Sequence, residues 1–332
     1  MPRVLLPFTL LCLVAAGCGS SKKDPIDSVP TSERSVVAEA QHVDAAKFPK
    51  PKAGESIDAF ARQFNNDGPQ AVAATSVLTP PSSRLAFGLL SAAQKFQYGP
   101  SVVYLQKRDG SGPITGPFAA PADVLVTQPQ YRSQQAATEK SPFAAIYESQ
   151  VQMASPGVYN VLIVSDFDGV RKGAGMMVQV TSKADDAIPD VGEQAPKVAT
   201  DTKGSVKGNI GLLDTRLPPA PELAADSFAD VVGKKPVALL FSTPQLCASR
   251  VCGPVTDEML QLKAKYGDRM EFIHQEVYNA NDPNKGVRPP LAKFGLQSEP
   301  WLFTVKADGT IAARLEGSIG LNAFENAIKA AL

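Results

Sequence analysis

Cys247 and Cys252 constrain this chain more than any other feature. They stand in the run Leu246-Cys247-Ala248-Ser249-Arg250-Val251-Cys252-Gly253-Pro254. The apolar stretch Val237-Ala238-Leu239-Leu240-Phe241 precedes them, and afterwards Val255, Met259, Leu262 and Tyr266 recur at three- and four-residue spacing. A short apolar run reads as a buried strand, and the periodicity after it reads as an amphipathic helix. Thiol–disulfide chemistry suits such a handover, because a helix N-terminus favours a thiolate.

The first residues say where those thiols work. Arg3 precedes an apolar stretch over residues 4–16, which runs into Ala15-Ala16-Gly17-Cys18. A basic start, an apolar core and small residues at its end describe a secretory signal over residues 1–17. The run is shorter than the ~20 residues a spanning helix needs. A cysteine directly after the small residues resembles the bacterial lipoprotein box. That resemblance implies a lipid on Cys18 and a protein held on the extracytoplasmic face of a cell membrane, periplasmic or cell-surface. The competing reading is an ordinary signal peptide that contains Cys18. Of the four cysteines, Cys12 then leaves with the signal and Cys18 carries lipid, so Cys247 and Cys252 are the couple that remains. In an oxidising, exported compartment a disulfide between them persists.

Composition narrows the rest. A chain of 332 residues, 44% hydrophobic and 20% charged, suits two ordinary domains. Its formal net charge is zero, with no basic patch for nucleic acid and no acidic block for cation storage. With His42 and His274 as the only histidines, no histidine-rich metal centre is expected, nor is a cofactor.

Residues 18–51 are rich in Ser, Lys and Asp, with Pro25, Pro30 and Pro49, and read as a flexible tether. Residues 52–182 read as a β-sandwich with a short leading helix. Ile57, Phe60, Ala61 and Phe64 supply that helix with an apolar face. Strands are expected over residues 84–90, 101–106, 124–128, 143–152, 157–164 and 176–181, with Gly- and Pro-rich turns between them. The step Pro156-Gly157-Val158-Tyr159 resembles the late strands of immunoglobulin-like modules. No catalytic constellation is evident here, so this domain reads as a spacer or binding module.

Residues 183–221, rich in Asp, Pro, Lys and Gly, read as a linker. Over residues 222–332 the expected order is helix, strand 236–241, the cysteines, a helix to 265, strand 270–277, a helix at 290–294, strand 301–305, the Asp308-Gly309 turn, strand 310–315 and helix 321–332. Asn322-Ala323-Phe324-Glu325 looks like the capped start of that last helix. This order resembles the α/β thioredoxin-like fold, as do Val191-Gly192-Glu193-Gln194-Ala195-Pro196 before it and Glu299-Pro300-Trp301 within it. The resemblance implies that Pro300 is the cis-proline that faces the cysteines and guides a substrate strand.

The motif departs from that family in three ways. Four residues separate the cysteines instead of two, and Val255 stands where Cys-Gly-Pro-Cys would end. Ala238-Leu239-Leu240 also lacks the buried acid that often assists proton transfer. Residues five apart in a helix rise ~7.5 Å, whereas bridged cysteines need Cα atoms about 4.4–6.8 Å apart. A disulfide therefore requires Cys247 to lie outside a regular helix, or that turn to unwind; with Pro254 in the first turn, where its missing N–H is harmless, Cys247 falls in the loop and the bond is easy. Cys252, near the positive end of the dipole, is then expected to have the lowered pKa.

Four functions fit these residues. One is a tethered thiol–disulfide oxidoreductase acting on protein thiol or disulfide clients through Cys247, Cys252 and Pro300. Another is a non-enzymatic thioredoxin-like binding or structural lipoprotein, in which the Cys247–Cys252 disulfide staples a loop. A third is a peroxiredoxin, although Pro244 occupies the place where that family usually has Thr or Ser. The fourth is a copper-delivery protein, for which His274, in an expected strand, is the available downstream histidine.

Overall fold

The computed structural model of the protein describes residues 24–64, 67–138, 143–247 and 250–332; the signal segment and Cys18 lie outside them. Within residues 24–51, expected to be a flexible tether, the chain instead forms helix α1 (Thr31–Ala40) and packs. Val29, Val37 and Ala40 are buried in the main core, and Arg34 Nη2 donates to the carbonyls of Asp27 and Val29. The polar average of this stretch concealed one small apolar face, which is enough to dock a three-turn helix. Helix α2 (Ile57–Ala61) follows, with Ser56 Oγ accepting from the Ala59 N–H as its cap. Phe60 lies edge-on to Phe64 and Tyr104, seating α2 beneath the first strands.

Two antiparallel sheets come next. Strands β1 (Gln70–Ala73), β2 (Ser82–Leu90), β6 (Ala145–Gln152) and β5 (Ala122–Val124) form one, in that spatial order. The other runs β4 (Thr115–Ala119), β3 (Ser101–Lys107), β7 (Gly157–Phe167) and β8 (Val170–Val180). Alternate residues point inward, so Leu85, Phe87 and Leu89 of β2 meet Val103 and Leu105 of β3 and Val161 and Ile163 of β7. The β7–β8 hairpin pairs Phe167 with Val170 across Asp168-Gly169, both at positive φ. Helix α3 (Gln134–Thr138) lies between the sheets' fifth and sixth strands in sequence.

Residues 183–221 do not separate two bodies. Gly192 and Ala195 donate to the carbonyls of Ile311 and Gly309, and Ile311 donates back to Glu193. Asp186 pairs with Arg314 at 2.5 Å, and Asp201 pairs with Arg288. Helix α4 (Ile210–Leu213) closes the segment, and the short α5 (Phe228–Val231) leads into the last module. The Pro- and Asp-rich composition marks irregular backbone correctly, but its carboxylates find buried arginines and hold it down.

The C-terminal sheet has the order β10 (Glu271–Gln275), β9 (Val237–Phe241), β11 (Trp301–Val305), β12 (Ile311–Glu316). β9 and β10 are parallel and the other pairs antiparallel. Helix α6 (Cys252–Tyr266) connects β9 to β10, α7 (Pro289–Lys293) precedes β11, and α8 (Leu321–Ala331) ends the chain. This is the thioredoxin-like arrangement. All five residues of β9 and of β11 are buried, as a central strand covered on both faces requires.

The modules meet over a polar, buried seam. Arg84 on β2 donates to both oxygens of Glu148 (3.0 and 2.5 Å) and reaches the carbonyls of Glu316, the last residue of β12, and Ser318 just beyond it. Glu316 in turn accepts from the backbone N–H of Ser76 and Val77, each at 2.8 Å. The start of α8 is capped differently from the sequence expectation. Its Asn322 and Ala323 N–H groups donate to Asp123 of β5, at 3.0 and 2.8 Å. Residue 320 must be glycine here, since a Cβ would stand 2.3 Å from the Asp123 carboxyl carbon.

Candidate active site

Strand β9 ends at Phe241, and the chain then turns through Ser242, Thr243 and Pro244. The N–H groups of Leu246 and Cys247 both donate to the Thr243 carbonyl, at 3.2 and 3.1 Å. Cys247 thus lies in a loop. Arg250, at φ +63°, donates its N–H back to the Cys247 carbonyl, and helix α6 begins with Cys252 as its first residue. Pro254 falls in the first turn, where no intrahelical N–H is needed. The helix start is pinned to the strand exit: Thr256 Oγ1 donates to the Cys252 carbonyl at 2.8 Å and sits 2.8 Å from Ser242 Oγ.

The two cysteine side chains are in hydrogen-bond contact. Cys247 is 8% exposed and Cys252 is 0% exposed. Burial pushes the Cys252 thiol well above its ordinary range, and the interaction with Cys247 holds the proton on Cys252. A contact from the Thr243 backbone acts in the opposite sense but is outweighed. The lowered pKa expected for Cys252 is therefore corrected: at this helix start, desolvation exceeds the dipole.

Pro300 completes the constellation. The Glu299–Pro300 peptide is cis, and Trp301 pairs with Phe241, which places Pro300 beside the exit of β9. Its carbonyl accepts from the Gly317 N–H at 2.9 Å. Two ionisable neighbours escaped the sequence reading. Glu299, half-buried, has its carboxyl pushed up first by burial and then by Cys247. Tyr278, beyond β10, is pushed up by burial and then by Glu299, Cys247 and Cys252. Glu299 was visible as the residue before the proline; Tyr278 sits in an irregular loop and carried no signal. Of the remaining sites named from sequence, Cys18 is outside the described residues.

A cavity of about 500 Å³ opens beside Cys247. Cys247, Pro244, Arg250 and Pro254 form one wall, and Leu125, Val126 and Phe143 of the sheet module form the other. A second cavity, about 430 Å³, touches Glu299, Val251 and again Phe143. Cys247 therefore faces a cavity at the junction of the two modules. That volume lies within the range of ordinary ligand pockets. His274 is turned elsewhere: Nε2 is 3.0 Å from the Ser242 carbonyl oxygen and Nδ1 is 3.7 Å from Asp214.

No family model matches this chain, and no curated protein matches it. Among solved structures, a putative thiol:disulfide interchange protein DsbE from Chlorobium tepidum is 19% identical, with 43% of this chain and 97% of that one covered and a TM-score of 0.31. A thioredoxin-family thiol:disulfide interchange protein from Chlorobium tepidum TLS is 16% identical over 42% of this chain and 99% of its own, at TM-score 0.27. A thioredoxin-like superfamily protein is 13% identical over 32% and 84%, at TM-score 0.25. On its own strand order, with cysteines after the first strand and a cis-proline before the third, the C-terminal module is thioredoxin-like.

Proposed function

We propose that this chain is a lipid-anchored, extracytoplasmic thiol–disulfide exchange protein in which Cys247 attacks and Cys252 resolves. One observation carries the reading: the two thiols touch at the strand exit beside Pro300, with Cys247 lining the cavity and Cys252 fully buried. In the reducing direction, the Cys247 thiolate attacks one sulfur of a client disulfide. The client S–S bond breaks, its other sulfur leaves as a thiolate and takes a proton, and Cys247 is held in a mixed disulfide. Cys252 then loses its proton and attacks the Cys247 sulfur. The first client sulfur is expelled, the Cys247–Cys252 disulfide forms, and two electrons have passed to the client. The same steps reversed oxidise a client dithiol. Glu299, close to Cys247 and partly desolvated, is placed to exchange these protons.

The sheet module supports an immunoglobulin-like reading through its two strand orders, β1-β2-β6-β5 and β4-β3-β7-β8. Its role here is more than spacing, since Leu125, Val126 and Phe143 wall the cavity and so select what reaches Cys247. Anchoring through Cys18 predicts that the wild type partitions with membranes or into detergent, whereas Cys18→Ser is released; equal release of both would sink the anchor.

The burial of both cysteines favours one alternative, a disulfide that only staples the loop. The reduction potential of the couple decides between them. An exchanging site should lie above about −300 mV, and a staple below it. Insulin reduction should fall to background in Cys247→Ser, while Cys252→Ser should trap a mixed disulfide with its client. Equal inertness of the wild type and both variants would overturn the exchange reading.

A further inference from the structure

A second group of buried side chains lies behind the strand exit and takes no part in exchange. Asp214, His274 and Glu276 are 3%, 2% and 0% exposed, and one N or O atom from each lies within 4.8 Å of the others. The tautomer of His274 follows from its neighbours. Nε2 stands 3.0 Å from the Ser242 carbonyl oxygen, which can only accept, so Nε2 carries the hydrogen. Nδ1 then presents its lone pair toward Asp214 Oδ1, 3.7 Å away. A lone pair facing a carboxylate is repulsive unless a second proton or a cation stands between them.

The carboxylates are held in place from behind. Asp214 accepts from the N–H groups of Arg216 and Ala220, at 2.8 and 2.7 Å. Glu276 Oε1 accepts from the Thr215 N–H at 2.7 Å. Glu276 Oε2, in a fully buried side chain, has no hydrogen-bond partner. A buried, unsatisfied carboxylate oxygen costs about 1–3 kcal/mol or more, so its presence asks for an explanation. The nearby arginines do not supply one. Arg216 is committed to Asp257 and to the carbonyls of Tyr131 and Pro218. Arg288 is committed to Asp201, Asn281 and the Leu212 carbonyl.

We propose that Asp214, His274 and Glu276 bind one divalent cation of the Mn²⁺ or Zn²⁺ class. Donor atoms up to 4.8 Å apart fit around an ion whose bonds are about 2.0–2.4 Å long. A set of one imidazole and two carboxylates, with no thiolate, suits these ions rather than Cu(I). The second shell is already built, with the imidazole donating to a backbone carbonyl and each carboxylate fixed by backbone N–H groups. The ion ties residues 214–220 to β10 and, through Ser242, braces the strand exit that leads to Cys247. The site does not depend on the exchange reading.

The test uses the full chain with all four cysteines, Cys12, Cys18, Cys247 and Cys252, changed to Ser, so that thiols cannot hold the metal. After chelator treatment and desalting, Zn²⁺ and Mn²⁺ are titrated by calorimetry and by thermal unfolding. The site predicts one equivalent bound at micromolar concentrations or below and a rise in Tm. Glu276→Gln and Asp214→Asn should each weaken binding about tenfold or more, while leaving the metal-free Tm unchanged or higher. Failure of both ions to bind at one equivalent would overturn the proposal, and so would equal binding by the folded variants.

Discussion

At the scale of single residues, the chemistry turns on how burial and charge divide two thiols and one carboxyl. Cys252 keeps its proton because it is wholly enclosed, which makes Cys247, at the cavity wall, the attacking thiol of the proposed exchange. Glu299 feels Cys247 as a like charge, and the effect is mutual. Glu299→Gln removes that repulsion, so alkylation of Cys247 by iodoacetamide at neutral pH should speed up severalfold and its rise with pH should begin earlier. Client turnover should meanwhile fall by about tenfold or more as the proton relay is lost. An alkylation rate unchanged from the wild type would refute the coupling. The cysteines and Pro300 were legible from sequence because thiols and X–Pro steps carry their chemistry in their identity. Glu299 meets Cys247 only in the folded chain, across a separation that no local motif expresses.

At the scale of elements, legibility followed burial. Strands β9 and β11 match their expected bounds closely: β9 is an unbroken apolar run between Pro236 and Ser242, and β11 is a run broken only by Thr304, between Pro300 and Lys306. Strands β1 and β4 went unseen. Their residues are mostly exposed or half-buried, and pairing with β2 and β3 rather than side-chain pattern makes them strands. Expected strand 124–128 is displaced to β5, Ala122–Val124, for the same reason: its register comes from β6. Helix α8 was expected at its true position, yet its cap is Asp123, some 200 residues away, and no local motif announces that. Helix α1 was hidden because two buried residues, Val37 and Ala40, among polar ones do not change an average.

At the scale of the whole molecule, the seam between modules gathers carboxyls in a place water does not reach. Burial and the Glu148 charge raise the Asp123 pKa to about 7, and burial with neighbouring acids raises Glu258 far above its usual range. Both Glu258 oxygens are buried without partners. In the unfolded chain Asp123 titrates near about 4. Between about 4 and 7 the folded protein therefore holds a proton that the unfolded chain has lost, and stability falls as pH rises through that window. Thermal unfolding should show a Tm several degrees lower at pH 8 than at pH 5, with the difference reduced in Asp123→Asn. A Tm that rises steadily over the same range, in both proteins, would contradict this account of the seam.

The sequence alone determined the order of the last module's elements, the position of the two cysteines after its first strand and the sheet character of the middle of the chain. Each of those is written in local chemistry, as apolar runs, turn residues and cysteines. Tertiary structure alone decided that the supposed tether and linker are packed, that the sheet module walls the thiol cleft, and that Asp214 meets His274 and Glu276. Those outcomes depend on contacts between residues tens to hundreds of positions apart. Their energy comes from desolvation and pairing, which no stretch of sequence expresses by itself.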